Sequence, residues 1–224
     1  MRRAAAKGTI RRESLPRFIV IDGIDGTGKT TQTALLVAYL KENGVKAVST
    51  YEPGGTASGR EIRRILLNKR TTLSKEAELL LFSADRSEHQ IKISELLNSG
   101  VWVISDRFLS STWAYQVCGR GAPAALLEAV LPYTVKYYPN LTIILDLDTE
   151  NALQRSISRL ETEGKAAEEG RFEAEKTAFF QKTREGFLEY AAAARYGETV
   201  VINAAKSEKE IAAEIAEAVR ARFF

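Results

Sequence analysis

The chain of 224 residues carries one cysteine, Cys118, and one histidine, His89. A lone thiol excludes an internal disulfide and any CxxC metal site, a usage that suits a reducing cytoplasm. A lone histidine leaves no proton relay built on imidazoles, and His89 reads as an exposed or internally satisfied side chain. No apolar run approaches membrane-spanning length. An excess of one charge is missing too: 32 Lys plus Arg stand against 29 Asp plus Glu, and a net charge of +3 is too small to argue for DNA or RNA as a partner. Internal repeats and low-complexity tracts are absent. What is present, 45% hydrophobic content over this length, suffices for one α/β domain with room for insertions.

Residues 1–16 are rich in Arg, Lys and Ala and have the flavour of an organelle-targeting segment. Glu13 weakens that reading, and a mobile basic tail ahead of a single domain over 17–224 is the simpler expectation.

The strongest signal follows the apolar run Phe18-Ile19-Val20-Ile21-Asp22. There Gly23-Ile24-Asp25-Gly26-Thr27-Gly28-Lys29-Thr30 fits G-x-x-x-x-G-K-[ST], the loop that cradles the phosphates of a nucleoside triphosphate. The spacing has a chemical reason. Glycines let the backbone turn and aim several N–H groups at phosphate oxygens, Lys29 adds a point charge for the β/γ-phosphates, and Thr30 offers a hydroxyl to Mg²⁺. Thr31 continues into a helix whose apolar spacing runs to Leu40 and stops at Asn43-Gly44, so the loop lies between strand and helix as the motif requires.

Strand and helix then alternate. Strands are expected over 45–51, 101–105, 141–145 and 199–202; helices run to about Asn68 and over 76–98, 149–160, 172–193 and from Ser207, with a polar stretch over 161–170. Five uninterrupted apolar strands joined by helical crossovers predict a parallel sheet covered on both faces, the P-loop NTPase arrangement, with ligands at the carboxyl ends of the strands. Every polar cluster of interest falls there. Glu52-Pro53-Gly54-Gly55-Thr56 follows the second strand and Asp106-Arg107-Phe108 the third; Ser111-Thr112 and Ala114-Tyr115-Gln116 come one or two turns later, ahead of Gly119-Arg120-Gly121. Singly, each is weak: a Pro-Gly-Gly turn is often a plain loop, and Asp-Arg after a strand is often a surface ion pair.

Together and in this order, from about Phe18 to the C-terminus, these elements resemble the thymidylate kinase family, the nucleoside monophosphate kinases that phosphorylate dTMP with ATP. The resemblance implies ATP with Mg²⁺ as donor, dTMP as acceptor, a homodimer and a short helical lid over about 155–172. It also implies roles. Phe82 matches the phenylalanine that stacks on thymine, although periodicity alone makes it a core residue of the long helix. Arg86 matches the donor to a base carbonyl, Gln116 the amide that pairs with the pyrimidine N–H and a neighbouring oxygen, and Tyr115 the residue that crowds the ribose 2′ position. Arg63 and Arg107 match guanidinium clamps on the acceptor phosphate, where two parallel N–H bonds fix angle and distance. Ser111, Thr112, Glu52 and Asp25 belong to the same pocket, and Asp106 either holds a Mg²⁺-bound water or orients Arg107. Arg155, Arg159, Lys165 and Arg171 sit on or beside the lid. With Asp25 between Ile24 and Gly26 the phosphate loop offers no arginine, so the catalytic guanidinium is expected from the lid, at Arg155 or Arg171.

Departures from the family pattern are Tyr51 in place of an arginine, Val117-Cys118 in place of glycines and Phe108 in place of a tyrosine. Three other readings compete. A GTPase would need Asn-Lys-x-Asp, which Asn68-Lys69-Arg70-Thr71 fails at its last position. A P-loop regulatory module would leave Phe82, Arg86, Arg107 and Gln116 without a shared purpose, and a deoxynucleoside kinase would leave Arg63 and Arg107 without a phosphate.

Overall fold

The structure is a computed structural model that describes residues 15–162, 164, 171–172, 175, 177–194 and 196–224. Strands β1 (Phe18–Asp22), β2 (Ala47–Tyr51), β3 (Trp102–Asp106), β4 (Leu141–Asp146) and β5 (Thr199–Asn203) form one sheet in the order β2-β3-β1-β4-β5, and every pairing is parallel. Parallel neighbours need crossovers, supplied by helices α1 (Lys29–Glu42), α2 (Ala57–Leu67), α3 (Lys75–Asn98), α4 (Leu109–Ser111, widening into a π-helix over Thr112–Gly119), α5 (Ala124–Thr134), α6 (Thr149–Thr162), α7 (Thr177–Ala193) and α8 (Glu208–Phe223).

Side-chain alternation splits the core between two layers. Ile19 and Ile21 of β1 face Leu36 and Leu40 of α1 and Ile211, Ile215 and Val219 of α8. Phe18 and Val20 face the other way, onto Leu79 and Ile93 of α3 and Leu127 and Leu131 of α5. Buried on both faces, β1, β3 and most of β4 read as continuous apolar runs.

Two expectations shift. The helix expected from Phe172 begins at Thr177, and Phe172 precedes it, folded into the core. The strand expected from Val45 is paired only from Ala47, opposite Trp102. Residues 1–14 of the anticipated tail, and Lys165, lie outside the described residues.

Candidate active site

β1 and β3 are adjacent and parallel, with Ile21 opposite Asp106, so the segments after them emerge side by side. The Arg107 amide donates to the Ile21 carbonyl at 3.0 Å, which ties the Asp106-Arg107 corner to the root of the phosphate loop. Arg107 turns that corner in the left-handed region, φ 73°, a conformation a non-glycine residue adopts at some cost and one found at sites where aim matters.

The phosphate loop lies between β1 and α1. A Cβ on Gly26 would stand 1.9 Å from the Ala152 carbonyl oxygen, so glycine is what lets α6 rest on the loop. Helices α2, α3 and α8 start with the side chains of Thr56, Ser74 and Ser207 bonded to their first amides, whereas α1 starts at Gly28 with no side-chain cap. Its leading N–H groups and helix dipole are left for an anion. Lys29 donates from Nζ to the Ile24 carbonyl at 2.8 Å, and burial, with the Arg107 guanidinium nearby, pushes its ammonium down to about 8. Thr30 donates from Oγ1 to Asp106 Oδ2 at 2.6 Å.

Asp25 is the hinge of the site. Arg107 donates to its Oδ1 at 2.5 Å and the Tyr115 hydroxyl to its Oδ2 at 2.7 Å, while the Asp25 amide returns a bond to Tyr115 at 3.0 Å. Burial works to raise the Asp25 carboxyl, but Arg107, Lys29 and Tyr115 outweigh it and hold the group well below the usual carboxylate range. Burial and the Asp25 charge raise Tyr115 well above its ordinary value, so its hydroxyl is a neutral donor. Beneath lies Asp22, fully buried, which accepts from Ser110 at 2.6 Å and Ser111 at 2.7 Å and lies 3.7 Å from Arg107. Burial raises its carboxyl against the pull of Arg107 and the two hydroxyls.

Two cavities meet here. The larger, ≈ 750 Å³, is walled by Gly26, Gly28, Lys29, Thr30 and Thr31 of the phosphate loop, with Asp106, Glu52 and Arg155. The smaller, ≈ 80 Å³, is walled by Phe82, Ser111, Tyr115 and Gln116, with Leu160 and Phe172 closing on it. Asp25, Arg63, Arg107 and Arg159 line both. Three guanidiniums from three separate elements thus converge on the boundary between a phosphate-binding loop and a flat, aromatic-walled slot. The arrangement can hold two phosphorylated ligands end to end and neutralise the group between them.

The comparisons with known proteins agree with that geometry. The sequence model of the thymidylate kinase family matches residues 21–215. The chain belongs to the thymidylate kinase family. It is 44% identical over 214 residues to a thymidylate kinase of Maridesulfovibrio salexigens, covering 92% of this chain and 98% of that one. It is 42% identical over 201 residues to one from Carboxydothermus hydrogenoformans, covering 89% and 94%. The crystal structure of thymidylate kinase from Ehrlichia chaffeensis superposes with a TM-score of 0.71 at 32% identity, over 91% of this chain and 98% of that one.

Within this family fold the residues named from sequence occupy three kinds of place. Arg63, Phe82, Arg107, Ser111, Tyr115 and Gln116 stand on the wall of the smaller cavity. Arg86 and Thr112 stand behind it: Arg86 donates to Glu52, to the Phe108 carbonyl and to Thr112, and its remaining nitrogen, Nη1, is buried without a partner among the described residues. Glu52 borders the larger cavity and also bonds His89, whose far nitrogen lies 2.6 Å from Thr50, so the single histidine is fully buried and internally satisfied. Gly23, Ile24 and Thr27 shape the loop from beneath; both the Lys29 ammonium and the Thr27 hydroxyl close on the Ile24 carbonyl. Arg155 lines the larger cavity, whereas Arg171 turns toward the smaller one, 2.6 Å from Glu78 and over the ring of Phe172 on its wall.

Sequence reasoning passed over Asp22, Ser110 and Glu78, and gave Arg159 no particular role. Asp22 closes an apolar strand and Ser110 stands in a short row of hydroxyl residues, Ser110-Ser111-Thr112, with no motif to mark either. Arg159 had a signal: it lies four residues after Arg155 on α6, hence on the same face, and that helix rests on the phosphate loop at Ala152.

Proposed function

We propose that the chain transfers the γ-phosphoryl group of ATP to the 5′-phosphate of dTMP, giving dTDP on the route to dTTP. The observation that carries this reading is the junction at which Arg63, Arg107 and Arg159 border both cavities. Donor phosphates lie along the loop and the open N-terminus of α1, and the acceptor pyrimidine lies against Phe82, its edge read by Gln116 and Arg86. Tyr115 stands by the sugar. Phosphoryl transfer asks the protein chiefly for alignment and for positive charge around the moving group, which the three arginines and Lys29 supply. Asp25 keeps Arg107 aimed without being consumed.

Thr30 and Asp106 fit a Mg²⁺ ion: a hydroxyl and a carboxylate, hard oxygen donors already in contact, with no group of three or more acidic, His or Cys side chains among the described residues to hold a metal alone. That donor set suits an ion that keeps waters and binds mainly through substrate phosphates. When bound, it draws charge from the donor's β/γ oxygens.

The test is turnover with ATP and a panel of nucleotides. dTMP is expected to stand above ribonucleotides and unphosphorylated nucleosides; preference for a nucleoside, or ATP consumption indifferent to dTMP, would count decisively against the assignment. We further read the protein as a cytoplasmic homodimer. No helix among the described residues is long and apolar enough to cross a membrane. Leu80, Ala84 and Ile91 form an exposed stripe along one face of α3, beside exposed Ile65 of α2, a surface suited to a second copy. Light scattering should give twice the 24.8 kDa of the chain, and a monomer at micromolar concentration contradicts it.

A further inference from the structure

Gln116 donates from Nε2 to Glu78 Oε1 at 2.9 Å. Glu78 is only 1% exposed and holds two cations as well, Arg171 at 2.6 Å and Arg120 at 3.5 Å. A carboxylate held between guanidiniums offers acceptors and nothing else, so the amide atom turned toward it must be nitrogen. That chemical constraint fixes the orientation of a side chain whose two ends otherwise look alike. The side-chain oxygen of Gln116, Oε1, is therefore turned away from Glu78; no described residue donates to it, and Gln116 lines the smaller cavity. Behind the same wall, Arg86 Nη1 is a buried donor with no described partner. One acceptor on the cavity wall and one donor behind it thus lack described partners.

From this we infer that Glu78 is a positioning residue for base choice: by locking the Gln116 amide it selects pyrimidines that carry a proton on N3 and rejects cytosine. Thymine and uracil offer an N3–H donor beside the O4 acceptor; cytosine offers an N3 acceptor beside an amino donor, the reverse pattern. Against a locked carbonyl, cytosine N3 meets lone pair to lone pair, and its amino group meets a guanidinium. Mispaired buried polar groups discriminate far more strongly than a missing methyl. The inference rests on the dTMP-kinase reading and adds to it a residue, on the first turn of α3, that need not touch the nucleotide.

E78Q tests it because glutamine is isosteric but can donate. Its amide nitrogen can bond the Gln116 oxygen, freeing Gln116 to turn and present its own nitrogen to cytosine. The ratio of kcat/KM for dTMP over dCMP is expected to exceed about a hundredfold in the wild type and to fall at least about tenfold in E78Q. The dTMP to dUMP ratio, which depends on a methyl the amide does not meet, should stay within about twofold. E78D, still acceptor-only, should lose rate on both substrates yet keep the wild-type ratio. Proportional loss on dTMP and dCMP in E78Q, or a ratio moved equally by E78D, overturns the lock while leaving the kinase reading intact. Absence of dTMP turnover in the wild type overturns the reading itself. If neither variant folds, a crystal structure of the wild type with dTMP decides. Gln116 must face N3 while still held by Glu78, and a Gln116 amide detached from Glu78 refutes the proposal.

Discussion

The Lys29 ammonium lies 6% exposed inside the phosphate loop, bonded to the Ile24 carbonyl. Burial lowers its pKa first and the Arg107 charge second; Asp25, Asp106 and Asp22 offset part of this, leaving a value of about 8. A triphosphate brings several negative charges to the same amine and pulls its pKa back up, so binding and protonation are linked. Below about pH 8 the free protein already carries the charge, and affinity for ATP should vary little on this account. Above it, each further pH unit leaves the free protein short of a proton that the complex needs. Affinity should then fall by up to about tenfold per unit, about 1.4 kcal/mol. Titration calorimetry between about pH 7.5 and 9.5, in buffers of different ionisation enthalpy, should register proton uptake growing with pH. A dissociation constant flat across that range would mean that Lys29 holds its proton in the free loop.

The π-helix after α4 carries Tyr115 and Gln116 of the smaller cavity's wall, and helix α7 packs tightly against it. A Cβ on Gly186 of α7 would lie 2.8 Å from both Cβ and Sγ of Cys118 and 3.0 Å from Cα of Ala114. Tyr115 and Gln116 lie on the same turn as Ala114, so the spacing of these helices fixes where the slot's polar groups stand. G186A should therefore lower Tm, although alanine by itself favours a helix by about 1 kcal/mol, because overpacking costs about 1–3 kcal/mol. KM for dTMP should rise with it, and C118A should give no rescue, since it keeps the offending Cβ. An unchanged or higher Tm would show that the contact relaxes freely. Cys118 is half-buried, with its thiol pushed by burial up to about 11, and serves packing, not reactivity. That Cys118 is a structural thiol was legible in the sequence; its contact with Gly186 was not. The five strands, their parallel pairing and the phosphate loop were, because each depends on local pattern: an apolar run, a glycine spacing, a helix stop. The positions of Phe82, Arg107 and Gln116 on one wall followed from family likeness and the rule that parallel sheets bind at their carboxyl ends. The widened turn over Thr112–Gly119, the positive φ at Arg107 and the late start of α7, at Thr177 with Phe172 folded into the core ahead of it, depend on distant partners, α7, β1 and the smaller cavity, that no window of sequence contains. Glu78 likewise reads as an unremarkable first-turn carboxylate of a helix capped by Ser74 until Gln116, 38 residues on, is seen bonded to it.

At the scale of the whole molecule the site is a meeting of separately anchored cations. Arg107 is fixed by the sheet, through the Ile21 carbonyl, Asp25 and Ser111, and Arg63 by α2, through the Pro53 carbonyl at 3.1 Å. Arg159 is different: it rides on α6, a helix that rests on the phosphate loop at Ala152 and ends at Thr162. Arg155, one turn earlier on the same face, borders the donor cavity only, and its nearest bond is a long one, 3.5 Å to the Ala204 carbonyl. A cation that reaches the transferring group only after both substrates have bound raises kcat without tightening ground-state binding. The double variant R155A/R159A is accordingly expected to lower kcat by about a hundredfold or more, in the direction of the larger effects of arginines delivered to a transferring phosphoryl group, while the dTMP dissociation constant moves by less than about threefold. Arg171, paired with Glu78 beside Gln116, is expected to act on the other side of the junction, so R171A should appear chiefly in KM for dTMP. Steady-state kinetics on the three variants, with dTMP binding measured separately by calorimetry, separates the roles. A kcat for R155A/R159A within about tenfold of wild type, equivalent to about 1.4 kcal/mol of barrier, would mean that Arg63, Arg107 and Lys29 carry the transition-state charge without α6.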